Sequence, residues 1–114
     1  MAKKEEVNRP LKKTEYKLVF ATRQARKGWQ DLVATQRNVM VDVWEFLTKN
    51  PKDQTPTNYP LKGGLNSVVR EGICHERWQH KPTVSGTARI WFYVSGNTVY
   101  LERVHTTHPN ETKR

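Results

Sequence analysis

The chain has 114 residues, with 20 Lys and Arg against 11 Asp and Glu, and carries a formal charge of +9. That length points to one domain, able to bury about two thirds of the surface its unfolded chain exposes. No apolar run approaches the ~18–20 residues of a membrane helix, Met1 to Glu6 holds no apolar signal region, and a lone cysteine, Cys74, excludes an intramolecular disulfide, so a cytoplasmic address without membrane contact is expected.

In chain order, residues 1–14 read as a basic flexible arm. Lys3, Lys4, Arg9, Lys12 and Lys13 stand there against Glu5 and Glu6, ahead of the first apolar run. A single domain follows over 15–114. Tyr16-Lys17-Leu18-Val19-Phe20 is rich in strand formers and predicts a first strand. Ala25, Trp29, Leu32 and Val33, then Met40, Val43, Trp44 and Leu47, recur three and four apart. They predict helices over 23–35 and 37–49, with Thr22 as the first N-cap and Pro51 ending the second. Three prolines in the eleven residues 50–60 predict a loop without regular structure.

The remainder reads as strands over 66–70, 73–81, 89–94 and 98–104. Turns fall at Glu71-Gly72, Ser85-Gly86 and Ser95-Gly96-Asn97. Short turns make these strands antiparallel. The expected fold is therefore α+β: an N-terminal strand, a helix pair, then antiparallel strands forming one sheet, in a two-layer sandwich with both helices on one face. Alternation separates Ile90, Phe92 and Val94, expected against the helices, from Arg89, Trp91 and Tyr93, expected to face outward. His75, Arg77, Gln79 and Lys81 likewise share a face. If these sets coincide, the open side of the sheet is a basic surface with an aromatic floor, the composition of a surface that binds RNA. Trp78, on the other set, is expected in the core.

The segment Tyr59-Pro60-Leu61-Lys62-Gly63, the run Glu76-Arg77-Trp78, the strand Ala88-Arg89-Ile90-Trp91-Phe92-Tyr93-Val94 and the histidine-bearing tail, in this order, resemble the RelE/ParE superfamily of bacterial toxins, nearest in flavour to its RelE, YoeB and HigB branch. The resemblance spans about residues 15–113. It implies a ribosome-dependent mRNA endonuclease that uses no metal or other cofactor. Its partners would be mRNA, the ribosome and a cognate antitoxin, with a monomeric toxin inside the toxin–antitoxin complex.

Metal-free RNA cleavage requires a group that takes the 2′-proton, one that stabilises the anionic phosphorane and one that protonates the leaving 5′-oxygen. The resemblance carries phosphate stabilisation to Arg89 first and Arg77 second; a guanidinium is a permanently charged planar fork of donors. His105 and His108 share the acid role, the alignment not deciding between them. YoeB-like toxins carry a glutamate where this chain has Tyr59, so Lys81 and Lys62 become the base candidates, as lysines serve in RelE-like members. Trp91, Tyr93, Arg103 and Gln79 are expected to contact RNA. Three rivals follow from the same residues. A non-catalytic RNA-binding module needs only the basic, aromatic face. The ParE branch shares the fold, inhibits DNA gyrase and cuts nothing. A zinc module would draw on Cys74, His75, His80 and His105-x-x-His108, although paired thiolates are absent.

Overall fold

The computed structural model describes residues 7–107. Its first strand, β1 (Lys17–Phe20), leads into helix α1 (Arg23–Thr35), then helix α2 (Arg37–Lys49). Thr22 caps α1 as its sequence position predicts: its backbone is extended and its Oγ1 accepts from the amide of Ala25. Gln36 alone separates the helices. Asn50 closes α2, its amide returning to the carbonyl of Phe46. A short strand β2 (Asn58–Pro60) and a 3-10 turn (Gly63–Leu65) come next. Strands β3 (Ser67–Arg70), β4 (Ile73–Glu76), β5 (Trp78–His80), β6 (Arg89–Ser95) and β7 (Thr98–His105) complete the described chain.

Five strands form one mixed sheet in the order β1-β7-β6-β5-β2. β1 runs parallel to β7, which the helical crossover between them permits, and the other pairs are antiparallel. Both helices cover one face. Ala25 and Leu32 of α1, with Met40, Val43 and Leu47 of α2, pack there against Trp78, Ile90, Phe92, Val99, Leu101 and Val104. The expected α+β sandwich is thus the observed one, and Trp78 lies in its core.

Three expectations need correction. The predicted strand over 73–81 is two strands, because the chain changes ladders at Arg77. Its amide bonds to Asn66 and its carbonyl accepts from the amide of Leu61, so β4 pairs with β3 while β5 joins the main sheet. The segment 50–60 is not wholly irregular: Asn58–Pro60 is an edge strand, and Pro60 is tolerated there because an edge leaves one row of amides unused. Asn58, fully buried, also orders the preceding loop by donating from Nδ2 to the carbonyls of Pro51 and Asp53, at 3.0 and 2.8 Å. Finally, the second face of the sheet is not open. The β3–β4 hairpin, turned at Glu71 and Gly72 (φ 53° and 78°), folds across it.

Two packing details make strong demands. Gly28 lets α1 approach β7 so closely that a Cβ there would stand 2.1 Å from the carbonyl oxygen of Val104. Gly28→Ala forces the helix off the strand, and we expect a loss of about 1–3 kcal/mol, the usual range for overpacking, read as a lower urea midpoint. An unchanged midpoint would mean that the helix seats differently.

His80 stacks on Phe46 of α2, with ring centroids 5.0 Å apart, and its Nδ1 lies 3.1 Å from Asn58 Oδ1. Because the Asn58 amide nitrogen is committed to two carbonyls, Oδ1 is the acceptor and Nδ1 carries the proton. Burial lowers the pKa of this imidazole to about 4. The unfolded chain therefore binds a proton that the native state refuses between pH ~6.5 and ~4. Stability is full above that window and falls as pH drops through it, by up to roughly 3 kcal/mol. His80→Phe should flatten this part of the stability–pH curve; an equally steep curve in the variant would assign the loss to other groups.

Candidate active site

Under the hairpin, the face opposite the helices carries the polar and aromatic residues singled out above. Trp91 is its hub. The Arg77 guanidinium lies 5.2 Å from its ring centroid, and the His105 ring meets it edge-on at 4.8 Å. Its Nε1 donates to Gln79 Oε1 at 2.9 Å, and Gln79 Nε2 donates to the Tyr59 hydroxyl at 2.8 Å. Lys81 Nζ sits 5.7 Å from the Tyr59 ring centroid. The structure thus links Arg77, Gln79, Trp91, His105 and Lys81 through direct contacts. Arg89 joins them by register, since it faces His105 across the β6–β7 ladder.

Three expected RNA contacts do not present themselves. Trp91 is only 2% exposed and offers no open ring face for a base. Gln79 is buried, with both ends of its amide occupied. Tyr93 is buried as well, stacked between Tyr100 at 5.0 Å and His75 at 4.6 Å. Burial pushes its phenol pKa above the ordinary value, with nearby Arg70 opposing, so it stays protonated near neutrality. The covering groups come from other elements, which strand alternation cannot reveal: His75 of the β3–β4 hairpin lies on Tyr93, while Arg77 and His105 meet Trp91 and Tyr59 meets Gln79. Arg103 is exposed and stands opposite Trp91 on β7. Lys62 is exposed beside the 3-10 turn, with no hydrogen bond or ion pair from its side chain to the cluster among the described residues. His108 lies outside the described residues.

Glu102 is the participant that residue patterning did not single out. The β6–β7 register shifts between Trp91 and Phe92, which pair with Arg103 and Leu101, so Glu102 is the extra residue of a bulge. A bulge re-aims side chains. Here it returns Val104 to the core and leaves Glu102 beneath the hairpin, 2% exposed. Its carboxylate pairs with Arg70 of β3, and with Arg77 at 3.2 Å. The spacing Val99, Leu101, Val104, two then three, carries this signal in the sequence.

Arg89 is electrostatically different. It is 7% exposed, yet no ion pair reaches it among the described residues. Nη1 donates to the carbonyls of Gly86 and Ala88, at 2.9 and 2.7 Å, while Nε is buried without an acceptor. A buried cation with an idle donor and no counter-charge is suited to an anion. The residues of the zinc alternative are split by the sheet: His80 faces α2 and His75 stacks on Tyr93 on the other side. Among the described residues no three His, Cys, Asp or Glu converge on a metal-sized site.

No protein-family profile matches the chain, and no curated protein matches it in sequence. Solved structures do match in fold. A YoeB/ParE toxin from Agrobacterium tumefaciens superposes with a TM-score of 0.58 at 18% identity, over 82% of this chain and 99% of that one. A copper-bound mutant toxin from Helicobacter pylori gives 0.58 at 16% identity, over 82% and 94%. A YoeB–YefM complex from Staphylococcus aureus gives 0.55 at 9% identity, over 79% and 94%. The strand, helix pair and mixed sheet described above are therefore a fold that this chain shares with these solved toxin structures.

Proposed function

We propose that the chain is the toxin of a bacterial toxin–antitoxin pair and acts in the cytoplasm as a ribosome-dependent, metal-independent mRNA endoribonuclease. The observation that carries this reading is Arg89: a buried guanidinium with an idle Nε and no carboxylate partner among the described residues, laddered to a histidine. In the reaction the 2′-oxygen of one nucleotide attacks the adjacent phosphorus and the bond to the 5′-oxygen breaks. Arg89 stabilises the charge that builds on the phosphorane. His105 protonates the leaving oxygen. Arg77, its charge shared with Glu102, holds the phosphate flank through Trp91, and Arg103 contacts the message backbone. Lys81 takes the 2′-proton, since Glu102 is occupied by two guanidiniums. The ribosome supplies positioning. A cognate antitoxin, as the YoeB–YefM match suggests, would cover this basic face.

A ParE-like reading, gyrase inhibition without cleavage, draws support from the same Glu102, which neutralises part of the cationic cluster. Induced expression in a bacterium, with primer extension across abundant transcripts, separates the two. Cleavage within translated codons that disappears in Arg89→Gln supports the nuclease. Intact transcripts with gyrase-dependent DNA damage would replace it with the ParE-like activity.

A further inference from the structure

A second cationic surface lies at the far end of the sheet. Glu15, buried, gathers the arm preceding β1. It accepts from the amide of Lys12 at 2.7 Å and from both terminal nitrogens of Arg9, at 3.3 and 3.1 Å. The amide of Glu15 returns to the carbonyl of Lys12, closing a tight turn. The Lys12 amide first, then Arg9, holds the Glu15 carboxyl below its ordinary pKa, so the clamp is charged at neutral pH. The Arg9 guanidinium also lies 5.2 Å from the Trp44 ring centroid on α2. At least from Arg9 onward, the arm is therefore tied to the domain rather than free. The part before Val7 lies outside the described residues.

This clamp uses up the local carboxylate and leaves its lysines over. Lys12 and Lys13 stand exposed on the turn. The Tyr16 amide bonds to the carbonyl of Thr48, and exposed Lys17 and exposed Lys49 each directly follow one of these two bonded residues in the chain. Among the described residues none of these four lysines pairs with a carboxylate. The Lys17 amide bonds to Asn97, at the Ser95–Thr98 end of the β6–β7 ladder, whereas Arg89 and His105 begin its other end. At about 3.3 Å per residue the two ends are roughly 20 Å apart.

We propose that Lys12, Lys13, Lys17 and Lys49 form a nucleic-acid phosphate-backbone surface separate from the candidate active site, pre-ordered by Glu15 and Arg9. Four exposed ammonium groups without an ion pair among the described residues, two on the turn and one each on β1 and α2, outnumber the one buried carboxylate of Glu15 and match a polyanion. Lysines supply point charges that follow a backbone without reading bases. The proposal does not rest on the nuclease reading, because it needs only binding.

Binding can be followed by fluorescence anisotropy of a labelled RNA hairpin and a labelled DNA duplex, between about 50 and 200 mM salt, where backbone contacts give steep slopes. The full chain carrying Arg89→Gln serves as parent, which removes cleavage from the measurement. Lys12→Gln/Lys13→Gln should weaken binding roughly tenfold at low salt and flatten the log–log slope by about 1.5. Arg23→Gln/Lys27→Gln removes the same charge from exposed positions on α1 and should leave the slope nearly unchanged. A loss confined to RNA or to DNA identifies the source of the phosphate and supports the surface in either case. Equal losses in both double variants would reduce the effect to net charge and overturn it. So would no loss in the arm variant, or arm-dependent binding only to vesicles of anionic lipid.

Discussion

Arg89→Gln is expected to slow mRNA cleavage on programmed ribosomes by two to three orders of magnitude, roughly the loss seen when a single preorganised donor to a developing anion is removed. The expectation follows from what surrounds the guanidinium. Its Nη1 is anchored by the Gly86 and Ala88 carbonyls, so the group is fixed before any substrate arrives. Its Nε lacks an acceptor and no carboxylate among the described residues cancels its charge. Preorganisation of this kind costs no rearrangement when charge builds on the phosphate. Arg89→Lys restores the charge without the planar fork and should recover only part of the rate. Single-turnover cleavage, measured beside the affinity for an uncleavable message, separates chemistry from binding. A variant that binds tenfold worse yet cleaves its bound message at the parental rate would remove Arg89 from the chemistry.

Glu102→Ala should be among the most destabilising polar substitutions, at about 3–5 kcal/mol, the range for breaking a buried ion pair from one side. The cost falls chiefly on Arg77, whose side chain is 15% exposed and would keep its charge without this counter-ion. Arg70 is 42% exposed, so water screens its share. The same carboxylate ties β3 to the main sheet, so its loss should also loosen the hairpin. Urea unfolding of Glu102→Ala, Arg77→Met and the double variant gives the coupling directly. Hydrogen exchange across 67–76 reports the hairpin. Should Glu102→Ala unfold within half a kcal/mol of the parent, the buried pair would not be the feature holding the two layers together.

How far the sequence carries can be seen at particular residues. Three- and four-residue apolar spacing located both helices, and Thr22 marked where the first begins. Alternation sorted β6 correctly, with Ile90 and Phe92 in the core and Arg89, Trp91 and Tyr93 opposite. The same alternation failed to say that the opposite face is covered, because it reports side and not depth. Trp91 and Gln79 therefore looked like an RNA platform and are instead buried supports for Arg77 and His105. Arg77 looked like one more residue of a long strand; it is the point at which the chain leaves one ladder for another.

The sequence by itself determined the first strand, the two helices, the face of β6 that meets them and the excess of positive charge, because these follow from local periodicity and composition. Only the tertiary structure decided which cations are free. Glu102 is 25 residues from Arg77 and 32 from Arg70 along the chain, and a hairpin must fold over a bulged strand before one carboxylate can pair with both, while Arg89 has no carboxylate partner among the described residues. Charge compensation depends on distance in space, and that distance is fixed by strand register and layer packing rather than by the neighbours a residue has in sequence.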